Sequence, residues 1–280
     1  MARESVRGFV PARDREARRA AGGAAPPAFS AHWALFLDID GTLVDFEDRP
    51  DAVRVDAGLK ELLGELSRAT DGAVALISGR PVREIDRLFA PLHLPAAGQH
   101  GAERRSAGGT LHLHAPVLDR MQEAADRLTR FAARHRGLIV EAKGVTLALH
   151  YRLAPRLRKA AEQKMRELAA DLGADYSLQQ GKQVLELRPC GHDKGTAVEA
   201  FLREPPFAGR VPVFVGDDLT DEFGFASVNR AGGHSVKVGP GASVAAWRLP
   251  DARAVRRWLR AGLEGRPQAA SSLSRGTGRG

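Results

Sequence analysis

Three short stretches of the chain are apolar without interruption: residues 34–37 (ALFL), 73–77 (AVALI) and 211–215 (VPVFV). Apolar runs of this length, lacking polar alternation, predict parallel strands covered on both faces. Between the first two, Leu59, Leu62, Leu63 and Leu66 recur as one face of a helix. After the second, Pro81 predicts a helix start with Val82, Ile85 and Phe89 turned inward, since proline suits a first turn. A last helix is predicted from Asp251 as N-cap through Val255, Trp258 and Leu259. Strand and helix alternate, so the class is α/β, a parallel sheet between helices.

The middle of the chain has a different rhythm. A helix carrying Met121, Ala125, Leu128 and Phe131 leads into LIVEAKGVTLALHYR. There Val145, Leu147, Leu149 and Tyr151 alternate with other residues, which predicts a strand with one buried face beside a turn at Gly144. A second helix over about 155–172 precedes YSLQQGKQVLELRP. Two strand pairs, each with a helix, predict an α+β unit with an antiparallel sheet, inserted over 107–188. The parallel-sheet core is then 30–106 with 189–264, between disordered tails at 1–29 and 265–280.

Composition narrows the function classes. Apolar residues make up 43% and charged residues 27%, ordinary values for a soluble protein. No apolar run approaches the ~20 residues of a membrane span, so no membrane partner is expected. A net charge of +8 invites a nucleic-acid reading. Residues 1–23 carry +3 and residues 252–280 carry +6, which leaves −1 for the 228 between. The basicity belongs to the ends, and nucleic acid is not an expected partner. The N-terminal stretch lacks the apolar segment of a secretion signal. With the single Cys190, it points to a cytoplasmic protein.

The candidate chemistry gathers where an open parallel sheet binds ligands, beyond the C-terminal strand ends. Asp38 and Asp40 follow ALFL, Ser78, Gly79 and Arg80 follow AVALI, and Asp217 and Asp218 follow VPVFVG. Lys194 begins the helix before the third strand. Grouped carboxylates repel one another unless a cation sits among them, and an all-oxygen donor set suits Mg2+. Ser78 and Lys194 can hold a phosphoryl group. A carboxylate can then attack phosphorus, and its neighbour two residues on can move protons. Taken singly, Asp-x-Asp and GDDLTDEF also fit helix caps, and Lys194 also fits a surface lysine.

DIDGT, SGR, HDKG and GDDLTDE, in this order, resemble the four motifs of the haloacid dehalogenase-like phosphohydrolases. The resemblance implies a Rossmann-like core, with Asp38 as nucleophile, Asp40 as general acid/base, and Ser78 and Lys194 on the phosphoryl group. It implies Mg2+ held by Asp38, the Asp40 backbone carbonyl and Asp217, with Asp218 and Asp221 completing the acidic cluster. GQHGAE, VEAKGVTLALHYR and GKQVLELRP further resemble the trehalose-6-phosphate phosphatase family and its inserted cap. This implies trehalose 6-phosphate as substrate and a possible functional pairing with a trehalose-6-phosphate synthase. Arg80 and the cap residues Glu141, Lys143, Arg152, Lys182 and Glu186 are then the expected substrate-binding set. Ala142 departs from the family, which often has an acidic residue there.

Other readings stay open on the residues alone. They are a phosphatase of sucrose phosphate or glucosylglycerol phosphate, a metal-dependent nucleotide-sugar transferase, and a non-catalytic binding subunit. The transferase has no use for Ser78, Lys194 and the acidic GDD in this order, and a binding subunit has no use for an intact Asp38–Asp40 pair.

Overall fold

The run ALFL lies in β1 (Trp33–Leu37), every residue of which is buried. In this computed structural model, which describes residues 25–46, 53–114, 118–181 and 183–265, β1 is central to an eight-stranded sheet. The chain continues through α1 (Ala57–Ala69), β2 (Val74–Ile77), α2 (Val82–Phe89), β3 (Ala96–Gly98), β4 (Glu103–Arg105) and β5 (Leu111–Leu113). Later come α5 (Lys194–Phe201), β10 (Val211–Gly216), α6 (Asp221–Arg230), β11 (His234–Val238), β12 (Trp247–Leu249) and α7 (Ala252–Glu264). The sheet order is β12-β11-β10-β1-β2-β3-β4-β5, parallel from β12 to β3 and antiparallel over β3, β4 and β5.

Alternate residues of β1 feed two cores. Leu35 and Leu37 join Leu59, Leu62 and Leu66 of α1 and Val255 and Leu259 of α7. Phe36 faces the other way into a cluster of Phe201, Phe207, Phe214 and Phe225. Its ring stacks on Phe207 with centroids 5.5 Å apart. Each such buried side chain contributes about 1.5–3 kcal/mol. A strand with both faces covered cannot alternate apolar with polar, which is why these runs are continuous.

The second sheet, order β6-β7-β9-β8, is antiparallel throughout. It comprises β6 (Ile139–Ala142), β7 (Leu147–His150), β8 (Tyr176–Gly181) and β9 (Val184–Pro189), with α3 (Leu118–Ala133) and α4 (Arg158–Leu172). Leu147 and Leu149 of β7 and Leu185 and Leu187 of β9 pack on Met121, Leu128 and Leu168 from those helices. The opposite face keeps a row across three strands. Glu141 pairs with Ala148, and Ala148 with Glu186.

The elements depart from the pattern-based reading in several places. Strand β5 lies within 107–188 by sequence, yet pairs with β4 in the larger sheet. Pro27 and Phe29, expected in a disordered N-terminal tail, pack on the core: Phe29 is buried against Trp33, and Pro27 O accepts from Trp258 Nε1 at 2.9 Å. Residues 1–24 of that expected tail, and residues 266–280 of the C-terminal one, lie outside the described residues. Pro81 is the N-cap of α2 rather than a first-turn residue, and α4 begins at Arg158 after a 3-10 turn over Pro155–Leu157. The strands β3, β4, β5 and β12 were not legible as runs, because three residues give too little period to detect, and β11 (His234–Val238) is broken by Ser235 and Lys237.

Candidate active site

The C-terminal ends of β1, β2 and β10 and the first turns of α5 and α6 meet on one edge of the larger sheet. Lys194 is the first residue of α5, whose N-cap Asp193 forms a reciprocal capping box with Thr196. The cap fixes the helix start, and with it the direction of the lysine. Lys194 Nζ donates to Asp38 Oδ1 at 2.8 Å and to Asp221 Oδ1 at 2.7 Å. All three side chains are buried. Burial alone would strip the lysine of its proton, but Asp38 and Asp221 outweigh it and hold its pKa above the usual range.

The carboxylates feel the same burial with the opposite sign. Burial pushes Asp38 up to about 7, against the pull of Lys194. Burial and the charge of Asp38 push Asp221 up to about 7, and burial with Asp221 and Asp218 pushes Asp217 up to about 6. Asp221 Oδ2 accepts the backbone N–H groups of Asp217 and Asp218, each at 2.9 Å, which folds the loop after β10 around it. Thr42 Oγ1 reaches Asp217 Oδ1 at 3.3 Å.

Among the described residues, Asp38, Asp217 and Asp221 each offer a carboxylate oxygen, all within 4.8 Å of one another. Three hard oxygen donors, with pKa values raised first by burial and then by neighbouring carboxylates, fit an oxygen-seeking dication. Asp218 faces differently: its Oδ1 accepts from Thr220 N and Oγ1, both at 2.7 Å. The carboxylate that joins Asp38 and Asp217 is therefore Asp221.

Arg80 grips the second carboxylate of the opening pair. Its Nε donates to Asp40 Oδ2 at 2.7 Å and its Nη2 to Asp40 Oδ1 at 2.8 Å, a bidentate pair. The buried Ser78 sits beside it, its Oγ accepting from Arg80 N at 3.1 Å. Gly41 makes the turn between Asp40 and Thr42 possible. Its φ is +84°, and a Cβ there would overlap the Asp217 carboxylate.

A cleft of about 340 Å³ runs from this edge to the antiparallel sheet. It is lined by Asp38, Asp40, Ser78, Arg80, Lys194, Asp217 and Asp218 on one side, and by Glu141, Lys143 and Glu186 on the other. Glu141 is ion-paired with Lys143 Nζ at 3.4 Å and lies 3.1 Å from His150 Nε2. Arg152 is not brought in: it stands exposed in the turn after β7 and does not line the cleft. Lys182 lies outside the described residues.

Several residues of the site were not singled out from sequence. His150 could have been found from its place on the cleft side of β7, one strand position beyond Leu149. The buried Lys237 donates to Asp217 O and, at 2.8 Å, to Val238 O. A lysine between the valines Val236 and Val238 was a signal, since lysine is almost never buried without a partner. His100 also lines the cleft.

A family model described as trehalose-phosphatase matches residues 36–250. A trehalose-6-phosphate phosphatase of Escherichia coli (strain K12) is 46% identical over 234 residues, covering 83% of this chain and 87% of that protein. A bifunctional trehalose-6-phosphate synthase/phosphatase of Thermoproteus tenax is 36% identical over 80% of this chain and 31% of its own length. A solved trehalose-6-phosphate phosphatase related protein superposes with a TM-score of 0.71 at 26% identity, covering 82% of this chain and 96% of that one. A haloacid dehalogenase-like hydrolase from B. subtilis shares the fold, with a TM-score of 0.56 at 14% identity over 81% of this chain and 98% of its own.

The turn at Gly41 gives a direct test of how tightly the acidic edge is built. Gly41→Ala forces a non-glycine residue to positive φ, at a cost of about 1–2 kcal/mol. It also displaces Asp217, and an error of 1 Å at a reacting centre costs on the order of a hundredfold in rate. Urea denaturation should show the stability loss, and phosphatase assays a much larger relative loss of turnover. Activity near that of the unaltered chain would show that the close approach of Gly41 to Asp217 has no role.

Proposed function

The chain belongs to the trehalose-phosphatase family, and on that premise we propose that it hydrolyses trehalose 6-phosphate to trehalose and inorganic phosphate through an aspartyl phosphate on Asp38. As a family member it is a hydrolase of phosphoric monoesters. The observation that carries the reading is the cleft itself, with phosphoryl-handling groups on one wall and a row of sugar-binding types on the other.

In this account an Asp38 carboxylate oxygen forms a bond to phosphorus as the bond from phosphorus to the sugar oxygen breaks. Asp40 gives a proton to that departing oxygen, then takes one from the water that attacks the aspartyl phosphate and frees Asp38. Arg80 holds both Asp40 oxygens in this structure and has to yield one before Asp40 can carry a proton. Ser78 and Lys194 bind phosphoryl oxygens. Asp38, Asp217 and Asp221, with the Asp40 backbone carbonyl and Asp218 nearby, would hold Mg2+. When bound, the ion neutralises phosphoryl charge so that an anionic nucleophile can approach.

The larger sheet, from 30–106 and 189–264 extended by β5, would supply the chemistry, and the inserted antiparallel unit the selectivity. Glu141, Lys143 and Glu186 offer charged hydrogen-bond partners to sugar hydroxyls. Arg152 and Lys182 are proposed for the same surface, Arg152 on condition that its turn moves toward the cleft. The synthase/phosphatase relative supports functional pairing with a trehalose-6-phosphate synthase. No helix among the described residues is long and apolar enough to cross a membrane. The lone, exposed Cys190 fits a cytoplasmic site of action.

Phosphate release from a panel of sugar phosphates tests the substrate, with trehalose 6-phosphate expected to give the highest kcat/KM. A higher value for sucrose or glucosylglycerol phosphate would replace it. EDTA should abolish activity and Mg2+ restore it, as an all-oxygen donor set requires. Undiminished turnover in chelator would remove the metal from the account. A hydroxyl bound to a charged partner contributes about 1.5–3 kcal/mol. Glu186→Ala should therefore lower kcat/KM for trehalose 6-phosphate roughly tenfold more than for p-nitrophenyl phosphate. Equal losses on both would assign Glu186 to the fold or the chemistry.

A further inference from the structure

Two consecutive non-glycine residues beside the cleft, Gln99 and His100, have left-handed backbones, with φ of 49° and 58°. Such residues cost about 1–2 kcal/mol each and persist where their surroundings over-determine them, chiefly at ligand sites. The surroundings here are specific. Gln99 N–H donates to Arg80 O and His100 N–H to Ser78 O, each at 3.0 Å. The Gln99 side-chain amide donates to Glu103, whose other oxygen accepts from Val82 N–H at 2.8 Å. The turn after β3 is thus fastened to the segment Ser78–Arg80 that carries the phosphoryl-binding hydroxyl.

This fastening delivers the His100 ring over Gly79. A Cβ on Gly79 would lie 2.9 Å from both Cε1 and Nε2 of the imidazole, so the glycine in SGR is what admits the ring. The ring lines the cleft together with Asp38, Lys194 and the cap residue Lys143. Its Nδ1 is buried without a hydrogen-bond partner, and a buried polar atom left unpaired costs about 1–3 kcal/mol. No step of the hydrolysis given above uses this residue.

Burial, and then the charges of Lys194 and Arg188, push its pKa down to about 3, so the imidazole is neutral. A neutral imidazole has one donor and one acceptor nitrogen. It adds nothing to the neutralisation of phosphoryl charge, but it matches a hydroxyl, which also donates and accepts.

We propose that His100 is a substrate-binding residue that takes a hydroxyl of the sugar, between the phosphoryl site of the larger sheet and the Glu141–Ala148–Glu186 row of the smaller. The inference rests on the sugar-phosphate reading and extends it to a residue of the larger sheet. Selectivity is then shared between the two walls of the cleft, with strain at residues 99 and 100 accepted in order to aim the ring.

The test compares kcat/KM for trehalose 6-phosphate and p-nitrophenyl phosphate in the full chain and in two variants, His100→Asn and His100→Gly. Asparagine tolerates the left-handed region and glycine removes its strain, so both keep the turn. The expected result is an unchanged or higher Tm in both variants. The loss on trehalose 6-phosphate should exceed the loss on the nitrophenyl ester by about tenfold or more. Parallel losses on the two esters, no loss on the sugar phosphate, or failure of both variants to fold would each overturn the inference. An unaltered chain that does not favour trehalose 6-phosphate would instead remove the reading beneath it, and that result is seen before any variant is compared.

Discussion

The rest of the structure depends on one buried charge. Lys194 Nζ lies 2.8 Å from Asp38 and 2.7 Å from Asp221 with almost no access to water. Ions taken out of water lose several kcal/mol of hydration each, and only close, hydrogen-bonded partners repay that loss. Remove the lysine and two carboxylates face each other in a dry pocket. Remove either carboxylate and a buried ammonium loses half its neutralisation. The triad ties β1, the start of α5 and the start of α6 into one rigid unit. This fixes Asp38 as a buried acceptor beside the carboxylates of Asp217 and Asp221.

The sheet exists to hold that unit still. Apolar side chains on both faces of β1 lock its end, and the capping box at Asp193 locks the end of α5. A nucleophile must stay within a fraction of an ångström of its in-line position, and rigid strand and helix ends provide this better than loops. The antiparallel sheet meets a different demand. Its helix side is apolar, which frees Glu141, Ala148 and Glu186 on the other side to line the cleft. The period of two along each strand turns a sequence alternation into a core and a recognition face.

The same physics explains what could be read in advance. Asp38, Asp40, Ser78, Lys194 and Asp217 were legible because each follows a buried strand or opens a helix, and sequence position then gives spatial position. The alternation around Leu147 and Leu149 disclosed the second sheet, whereas Glu141 and Glu186 came from the resemblance of their motifs to a family. What escaped depends on contacts between distant residues. Asp221, expected beside Asp218 in the acidic cluster, meets Asp38 through the bridging Lys194, while Asp218 turns to Thr220. Phe29 belongs to the core because it packs on Trp33, across a stretch too rich in alanine and proline to show a period. Arg152 was placed by analogy with a motif, and a motif carries no information on which way an exposed turn side chain points.

The account stands or falls on Asp38 as the group that attacks phosphorus. The direct measurement is phosphate release from trehalose 6-phosphate by purified Asp38→Asn, with circular dichroism to establish that the fold is retained. An amide matches the carboxylate in shape but is a far poorer nucleophile, so the expected result is a folded protein with nearly all turnover lost. A folded Asp38→Asn protein that turns over near the rate of the unaltered chain would contradict the mechanism.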